Sequence, residues 1–121
     1  MIEPEELQFD VVAGTRVLRL SGDIDLSNAA LVKRSILDSV SNRELKLALD
    51  LAEVGYLDSA GIGMLFELWS RLAQHQQRLI LVVPAGSPLR RSLHVSGWPA
   101  DVTMVETVGE ATRAKPLKDP S

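Results

Sequence analysis

Apolar and polar residues alternate over the first strand-like segment of the chain. Leu7, Phe9 and Val11 stand at every second position with polar residues between them, and a period of two is typical of a half-buried strand. Ala13-Gly14 follows, and glycine tolerates the positive φ of a tight turn. We therefore predict a hairpin between this strand and a second strand over residues 16–20.

Three further strands are predicted from similar patterns. Leucines occupy every second position from Leu45 to Leu51, and this strict period of two outweighs the helix propensity of leucine. Residues 79–83 form a continuous apolar run, which is typical of a strand that is buried on both faces of a parallel sheet. A short last strand is predicted over residues 102–105.

Helical spacing of apolar residues predicts two long helices between these strands. The first covers residues 26–40 and the second covers residues 60–76. On the second helix we expect the core-facing side to consist of large apolar residues and one alanine. They are Ile62, Leu65, Phe66, Trp69, Leu72 and Ala73.

Two shorter helices complete the pattern. Ser87-Pro88 offers an N-cap and a first helical residue, so a third helix is predicted from there to about Ser96. We expect it to end at Gly97, since glycine is a favoured C-cap residue. A closing helix is predicted over residues 110–114. The order of elements is therefore β-β-α-β-α-β-α-β-α.

This order predicts a single α/β domain. Strands that alternate with helices are joined by right-handed crossovers, which produce a largely parallel sheet, and the hairpin adds one antiparallel strand. We expect a mixed, mostly parallel sheet of about five strands flanked by about four helices over residues 1–114. Residues 115–121 are expected to form a flexible C-terminal tail.

The composition argues against several classes of site. The chain has 121 residues, no cysteine and only two histidines, so disulfides, thiolate metal sites and cysteine nucleophiles are excluded and a histidine-built metal site is not expected. A net charge of −3 argues against nucleic-acid binding, which needs clustered Lys and Arg. We expect no cofactor and no enzymatic activity.

The sequence also carries no recognisable targeting or membrane signal. Three of its first six residues are glutamates, whereas a secretory signal is basic and then apolar. The strongest apolar run, residues 79–83, is far shorter than the roughly 18 residues of a membrane helix. We expect a soluble, cytoplasmic protein without membrane insertion.

Asp58 and Ser59 stand where a loop leads into the second predicted helix. Both are preferred N-cap residues, so helix capping is one interpretation. Gly61 and Gly63 each lower helix stability by roughly 1 kcal/mol relative to alanine in the first turn. Their presence indicates that a backbone without side chains is needed there for something other than helix formation. Phosphorylation of Ser59 is the second interpretation, because the free N–H groups at a helix N-terminus favour negative charge.

Other acidic residues could join Asp58 in a negative patch. Asp23 and Asp25 follow the second predicted strand and belong to the turn before the first long helix. They would lie near Asp58 if the fold brings both loops to the same edge of the sheet. The sequence alone leaves this condition open.

The side of the second helix that faces away from the predicted core carries two large apolar residues. At 100° per residue, Met64 and Leu68 cluster with Ala60, Glu67 and Arg71. One interpretation is an exposed docking strip for a partner next to the serine, for which the flexible Met side chain is well suited. The other is that a neighbouring helix covers both side chains.

Three segments together resemble the STAS domain, particularly the bacterial anti-sigma factor antagonists. They are Gly22-Asp23-Ile24-Asp25, Asp50-Leu51 and Leu57-Asp58-Ser59-Ala60-Gly61-Ile62-Gly63. The resemblance covers residues 7–114, and the family fold, a small mixed sheet flanked by helices, agrees with the predicted order of elements. Ser59 falls on the position that this family phosphorylates, whereas Ala60 replaces the common second serine.

The resemblance implies a partner switch. The unphosphorylated protein would bind an anti-sigma factor that is also a serine kinase, and would so release a sigma factor. Phosphorylation of Ser59 would break the complex, and a PP2C-type phosphatase would reset it. A weak homodimer stays open. We assign partner contacts to residues around the serine, namely Asp23, Asp25, Asp58, Ala60, Gly61, Met64 and Leu68.

Other functions were weighed against this one. A hydrolase is disfavoured because a nucleophile elbow has glycine two residues before the serine, and Leu57 occupies that position. A catalytic triad also needs a positioned histidine, and the sequence around the two histidines does not indicate one. Gly86 and the following Arg90-Arg91 leave weak nucleotide binding open, although no phosphate-loop motif is present. STAS domains also serve as accessory subunits of lipid-transport ABC complexes and in other signalling assemblies, and these alternatives stay open.

Overall fold

The structure, a computed structural model, describes residues 8–12, 14–41, 43–95, 97 and 102–117. Within them the elements follow the predicted order. The strands are β1 (Gln8–Val12), β2 (Thr15–Ser21), β3 (Lys46–Glu53), β4 (Arg78–Val82) and β5 (Thr103–Val105). The helices are α1 (Ala29–Ser39), α2 (Ser59–Gln74), α3 (Leu89–His94) and α4 (Val108–Arg113). Leu7, Ala13, Ser96 and residues 118–121, which the predictions above include, lie outside the described residues.

The strands lie in the sheet in the same order as in the sequence, β1-β2-β3-β4-β5. β1 is antiparallel to β2, and the other pairs are parallel. Because each parallel connection steps in the same direction and crosses over with the same hand, α1, α2 and α3 all lie on one face of the sheet. α4 follows the last strand and covers the opposite face. The prediction of a mixed, mostly parallel α/β fold is confirmed.

β3 is central and buried on both faces, although its sequence alternates. Leu47, Leu49 and Leu51 belong to the main core under α1–α3. Ala48 lies in the smaller core under α4, and Asp50 is buried near it and bound by the Arg19 guanidinium at 3.1 Å. The leucines therefore face the larger of two cores, and the residues between them face the smaller core rather than solvent.

β1 is more exposed than its alternating sequence predicts. All five of its residues are solvent-exposed, and Val11 keeps 57% of its surface in solvent. The strand lies at the edge of the sheet and pairs with β2 alone among the described strands. Phe9 is covered only in part, with the Arg16 guanidinium 5.7 Å from the centre of its ring. The half-buried interpretation was wrong, because all five residues of this edge strand keep a large part of their surface in solvent.

All four helices begin or end away from their predicted bounds, and α2 spans Ser59–Gln74 instead of residues 60–76. α1 begins at Ala29 because the preceding residues form a turn, in which the Asp25 carbonyl accepts the N–H groups of Asn28 and Ala29. α4 begins at Val108 because the Thr107 hydroxyl caps it. α3 ends at His94, and Gly97 beyond it has a φ of 71°, the left-handed conformation expected of a glycine after a helix.

Candidate partner-binding site at the Asp58–Ser59 loop

Two loops meet at the carboxyl ends of the adjacent strands β2 and β3. Ile24, in the loop before α1, forms a parallel bridge with Leu57, in the loop before α2. The Ile24 N–H donates to the Tyr56 carbonyl at 3.0 Å, and the Asp58 N–H donates to the Ile24 carbonyl at 3.3 Å. The condition set for an acidic patch, that both loops reach the same edge, is therefore met.

Asp58 caps helix α2 and holds the neighbouring loop at the same time. One carboxylate oxygen accepts the Gly61 N–H at 2.9 Å, which is the usual N-cap bond. The other oxygen accepts the Leu26 N–H at 3.1 Å, from the loop before α1. The capping predicted for Asp58 is confirmed, and the second bond is a feature that the sequence did not reveal.

Ser59 is the first residue of α2 and is solvent-exposed. Its hydroxyl makes no hydrogen bond with any residue that the structure describes. The residue beside it, Ala60, is partly buried and faces the neighbouring helix α1 across a groove.

The two glycines in the first turn of α2 have different surroundings. A Cβ at Gly61 would lie 2.9 Å from the Ile24 carbonyl oxygen and 3.1 Å from a methyl group of Leu57. At Gly63 a Cβ would meet no atom within 4 Å other than its chain neighbours and the backbone of its own helix. The close contact of the two loops thus explains Gly61, whereas Gly63 lines the groove between α1 and α2.

Comparison with known proteins identifies the fold. A model of the STAS domain family matches residues 6–111. The chain belongs to the STAS domain family.

Its relatives include proteins that control sigma factors. The anti-sigma-F factor antagonist RsfB of Mycobacterium tuberculosis is 31% identical over 98 residues, which are 81% of this chain and 79% of RsfB. The crystal structure of an anti-sigma factor antagonist from Mycobacterium paratuberculosis has a TM-score of 0.73 at 24% identity, covering 93% of this chain and 92% of that one. The phosphorylated form of the Bacillus cell-fate determinant SpoIIAA has a TM-score of 0.61 at 19% identity, covering 88% and 97%. At these identities the two structures show a common fold.

The docking strip predicted on α2 of this STAS domain is not exposed. Met64 is only 4% exposed and Leu68 is fully buried, and both belong to the main core. α2 packs against both α1 and β4, so the side that the sequence assigned to solvent is covered. Glu67 and Arg71 are exposed as predicted. Among the residues predicted to face the core, Leu65 and Leu72 are fully buried, whereas Ile62, Phe66, Trp69 and Ala73 are partly buried.

A different apolar surface lies beside Ser59. Leu26, at the turn before α1, is 82% exposed. It lines one end of a groove of about 270 Å³ between α1 and α2, together with Ala30, Ala60 and Gly63. The far end of the groove carries an ion pair of Lys33 and Glu67, with 2.5 Å between the charged atoms. Sequence reasoning missed this surface because it placed Leu26 inside the helix.

Asn28 builds the loop that carries the two acidic residues. Its side chain is buried, and its amide oxygen accepts the Asp25 N–H while its amide nitrogen donates to the Asp23 carbonyl, both at 2.9 Å. Asn28 was also missed by sequence reasoning. The signal was available, since a side chain three residues after Asp25 is well placed for a turn of this kind.

The two loops together are acidic. Asp23 and Glu53 are exposed, and Asp25 and Asp58 are partly exposed. The segments 21–32 and 51–66 contain these four acids and neither Lys nor Arg. The hydroxyl and backbone N–H of Ser27 bind the Asp25 carboxylate, and these bonds lower the pKa of Asp25 below its usual 3.8.

Metal-ligating clusters and membrane-spanning helices are both absent from the described residues. They contain no group of three or more His, Cys, Asp or Glu that could hold a metal ion. None of the described helices is long and apolar enough to cross a membrane.

Proposed function

We propose that this STAS domain is an anti-sigma factor antagonist, a cytoplasmic, non-enzymatic binding protein whose complex is broken by phosphorylation of Ser59. The observation that carries the proposal is the position of Ser59. Its exposed hydroxyl lies at the junction of two acidic loops and beside the apolar groove between α1 and α2. The relationship to RsfB, an anti-sigma-F factor antagonist, supports the same role.

The partner surface that we propose differs from the docking strip. It comprises the exposed Leu26 and the groove residue Ala60, with the acids Asp23, Asp25 and Asp58 at its rim. Gly61 contributes through its small size rather than by contact, since it is buried. Met64 and Leu68 support this surface from inside the core.

The effect of a phosphate follows from its charge. It adds roughly 1.5 to 2 negative charges at pH 7 beside Asp58, at a surface that would be in contact with the partner. Desolvating a dianion there and holding it close to other carboxylates opposes binding. A loss of about 3 kcal/mol would weaken the complex about 100-fold. The partner is an anti-sigma factor with serine kinase activity, and a PP2C-type phosphatase reverses the modification.

The phosphorylation site can be tested directly. The chain is incubated with candidate serine kinases and ATP, and added phosphate is located by mass spectrometry. We expect one phosphate, on Ser59, which the variant Ser59→Ala loses. Ser27→Ala is the matched control because Ser27 is an exposed serine in the adjoining loop. Full phosphorylation of Ser59→Ala would disprove the assignment.

The partner surface is tested with a second pair of variants. Leu26→Glu should abolish binding to the anti-sigma factor, measured by calorimetry, and leave the thermal melt nearly unchanged. Leu31→Glu is the control, since Leu31 is an exposed leucine of α1 outside the groove lining. Equal loss with both variants would contradict the groove. Recovery of permease and ATPase subunits from native lysate, without any anti-sigma factor, would favour the accessory role in lipid transport.

A further inference from the structure

The Asp58 carboxylate joins two elements that the sequence keeps 32 residues apart. One oxygen accepts the Gly61 N–H of α2, and the other accepts the Leu26 N–H of the loop before α1. The backbone N–H of Asp58 also donates to the Ile24 carbonyl. Asp58 therefore fixes the position of this loop from two sides, with both carboxylate oxygens in use.

The position of Leu26 depends on its bond to Asp58 more than the positions of the neighbouring residues do. Asn28 is buried and ties down both ends of the acidic turn. Leu26 has no such support from its side chain, which is 82% exposed. Its backbone N–H is bound by Asp58. A change at Asp58 would consequently alter the placement of Leu26 before that of any buried residue.

A phosphate on Ser59 would compete with Asp58 for its hydrogen bonds. Phosphate oxygens bind the N–H groups in the first turn of a helix strongly, and the Gly61 N–H, which donates to Asp58, is one of these groups. The phosphate also repels the adjacent carboxylate. Both effects displace the Asp58 carboxylate from the position in which it binds the Gly61 N–H and the Leu26 N–H.

We propose that Asp58 is a positioning residue that couples the phosphorylation state of Ser59 to Leu26. With Ser59 unmodified, Asp58 holds Leu26 at the edge of the groove. With a phosphate on Ser59, the bond from Leu26 to Asp58 is lost and the leucine leaves that position. The proposal rests on the proposed function only for its trigger, phosphorylation, because the coupling is a property of the free chain.

This mechanism differs from simple repulsion between phosphate and partner. Repulsion leaves the free protein unchanged, whereas the coupling through Asp58 changes the loop before any partner arrives. The decisive measurement is therefore made without a partner. Phosphoserine is installed at position 59 by nonsense suppression, and the exchange of the Leu26 amide proton with water is followed by NMR.

We expect the Leu26 amide to exchange at least tenfold faster in the phosphorylated chain, since its hydrogen bond would be lost. The amide of Val32, which donates to the Asn28 carbonyl at 2.9 Å within α1, serves as the internal reference and should be unchanged. An unchanged Leu26 amide would overturn the proposal. Uniformly faster exchange at both amides would also overturn it, because it would show general destabilisation.

One substitution can remove the bond from Leu26 to Asp58 and keep the helix cap. Asp58→Asn keeps one side-chain oxygen for the Gly61 N–H, and Asn is as good an N-cap as Asp. Its NH₂ group cannot accept the Leu26 N–H. The variant should therefore speed exchange at Leu26 without phosphate and keep the thermal melt. Asp23→Asn removes a charge from the same patch and should leave Leu26 unchanged.

The two proposals can fail separately. If phosphoserine frees the Leu26 amide but no anti-sigma factor binds in either state, the coupling stands and the proposed function is wrong. If an anti-sigma factor binds and phosphate weakens it while Leu26 stays protected, the function stands and the coupling is wrong. With a binding partner, Asp58→Asn should weaken the unphosphorylated complex about tenfold and Asp23→Asn less than about threefold.

Discussion

Gly61 and Ile24 approach each other so closely that a Cβ at position 61 would lie 2.9 Å from the Ile24 carbonyl oxygen. The atom it would meet belongs to the backbone and cannot turn aside. This contact brings the first turn of α2 against the loop before α1, where the same Ile24 carbonyl accepts the Asp58 N–H. The arrangement around Ser59 therefore depends on the absence of a side chain at position 61.

Gly61→Ala and Gly63→Ala should change stability in opposite directions. Alanine is favoured over glycine by about 1 kcal/mol inside a helix, and at position 63 nothing opposes this gain. At position 61 the clash should outweigh it and lower the free energy of unfolding by about 1–2 kcal/mol. Urea denaturation of both variants measures the difference. A gain in stability for both would contradict the close contact.

Leu68 and Leu26 should respond differently to truncation. Leu68→Ala removes a fully buried side chain and should cost about 2–5 kcal/mol of stability. Leu26→Ala should stay within about 0.5 kcal/mol, since the side chain is 82% exposed. Denaturant midpoints of the two variants give the comparison. A small loss for Leu68→Ala would restore the predicted docking strip.

Asn28→Ala should destabilise the domain although the residue belongs to a loop. The substitution leaves the Asp25 N–H and the Asp23 carbonyl without their partner, at a cost of about 1–3 kcal/mol for each group that stays buried. The adjacent variant Ser27→Ala removes an exposed side chain and its bond to the Asp25 carboxylate but leaves no buried group without a partner, so it should cost less than Asn28→Ala. Equal effects of the two variants on thermal unfolding would show that the turn does not depend on Asn28.

The titration of Asp25 should depend on Ser27. The Ser27 hydroxyl, 2.5 Å from the Asp25 carboxylate, is the main reason that the pKa of Asp25 lies below 3.8. Ser27→Ala should raise this pKa towards its usual value, as measured by NMR of the carboxyl carbon. Ser21→Ala is the control and should leave it unchanged. A pKa of Asp25 that does not move in Ser27→Ala would contradict the hydrogen bond.

The direction of the pH effect follows from the lowered pKa. The folded chain holds this proton less tightly than the unfolded chain does, so the bond stabilises the fold at pH values above the unfolded pKa. That contribution disappears as the pH falls through the lower, folded pKa. The stabilities of the parent and of Ser27→Ala should therefore converge in acid and differ near neutral pH.

The strands and their order along the chain were predictable from sequence because regular spacing of apolar residues distinguishes strands from helices. The leucines from Leu45 to Leu51 and the run over residues 79–83 occupy the core strands β3 and β4 as expected. The two-sided burial of β3 was not apparent, since it results from α4, which the sequence places more than 50 residues away. Burial by distant elements leaves no local pattern.

The candidate site was predictable only in part, for a related reason. Asp58 could be recognised as a cap because the signal lies within its own helix turn. The side of α2 that faces the core could not be recognised from the sequence. Met64 and Leu68 on one side are as apolar as Phe66 and Trp69 on the other. The sequence therefore did not show which side α1 covers. Contacts across loops, such as Asp58 with Leu26, depend on the strand order.

The exposed edge strand β1 has a consequence for how the domain opens. Its residues are exposed, it pairs with β2 alone among the described strands, and most of the core lies under β2, β3 and β4. Separating β1 from the sheet thus exposes little further apolar surface, and it should be the first cooperative unit to unfold. Ser59 belongs to α2, which packs against α1 and β4. A protease that captures the opened strand would cut the chain more than 40 residues before Ser59 and leave the α1–α2 pair in place.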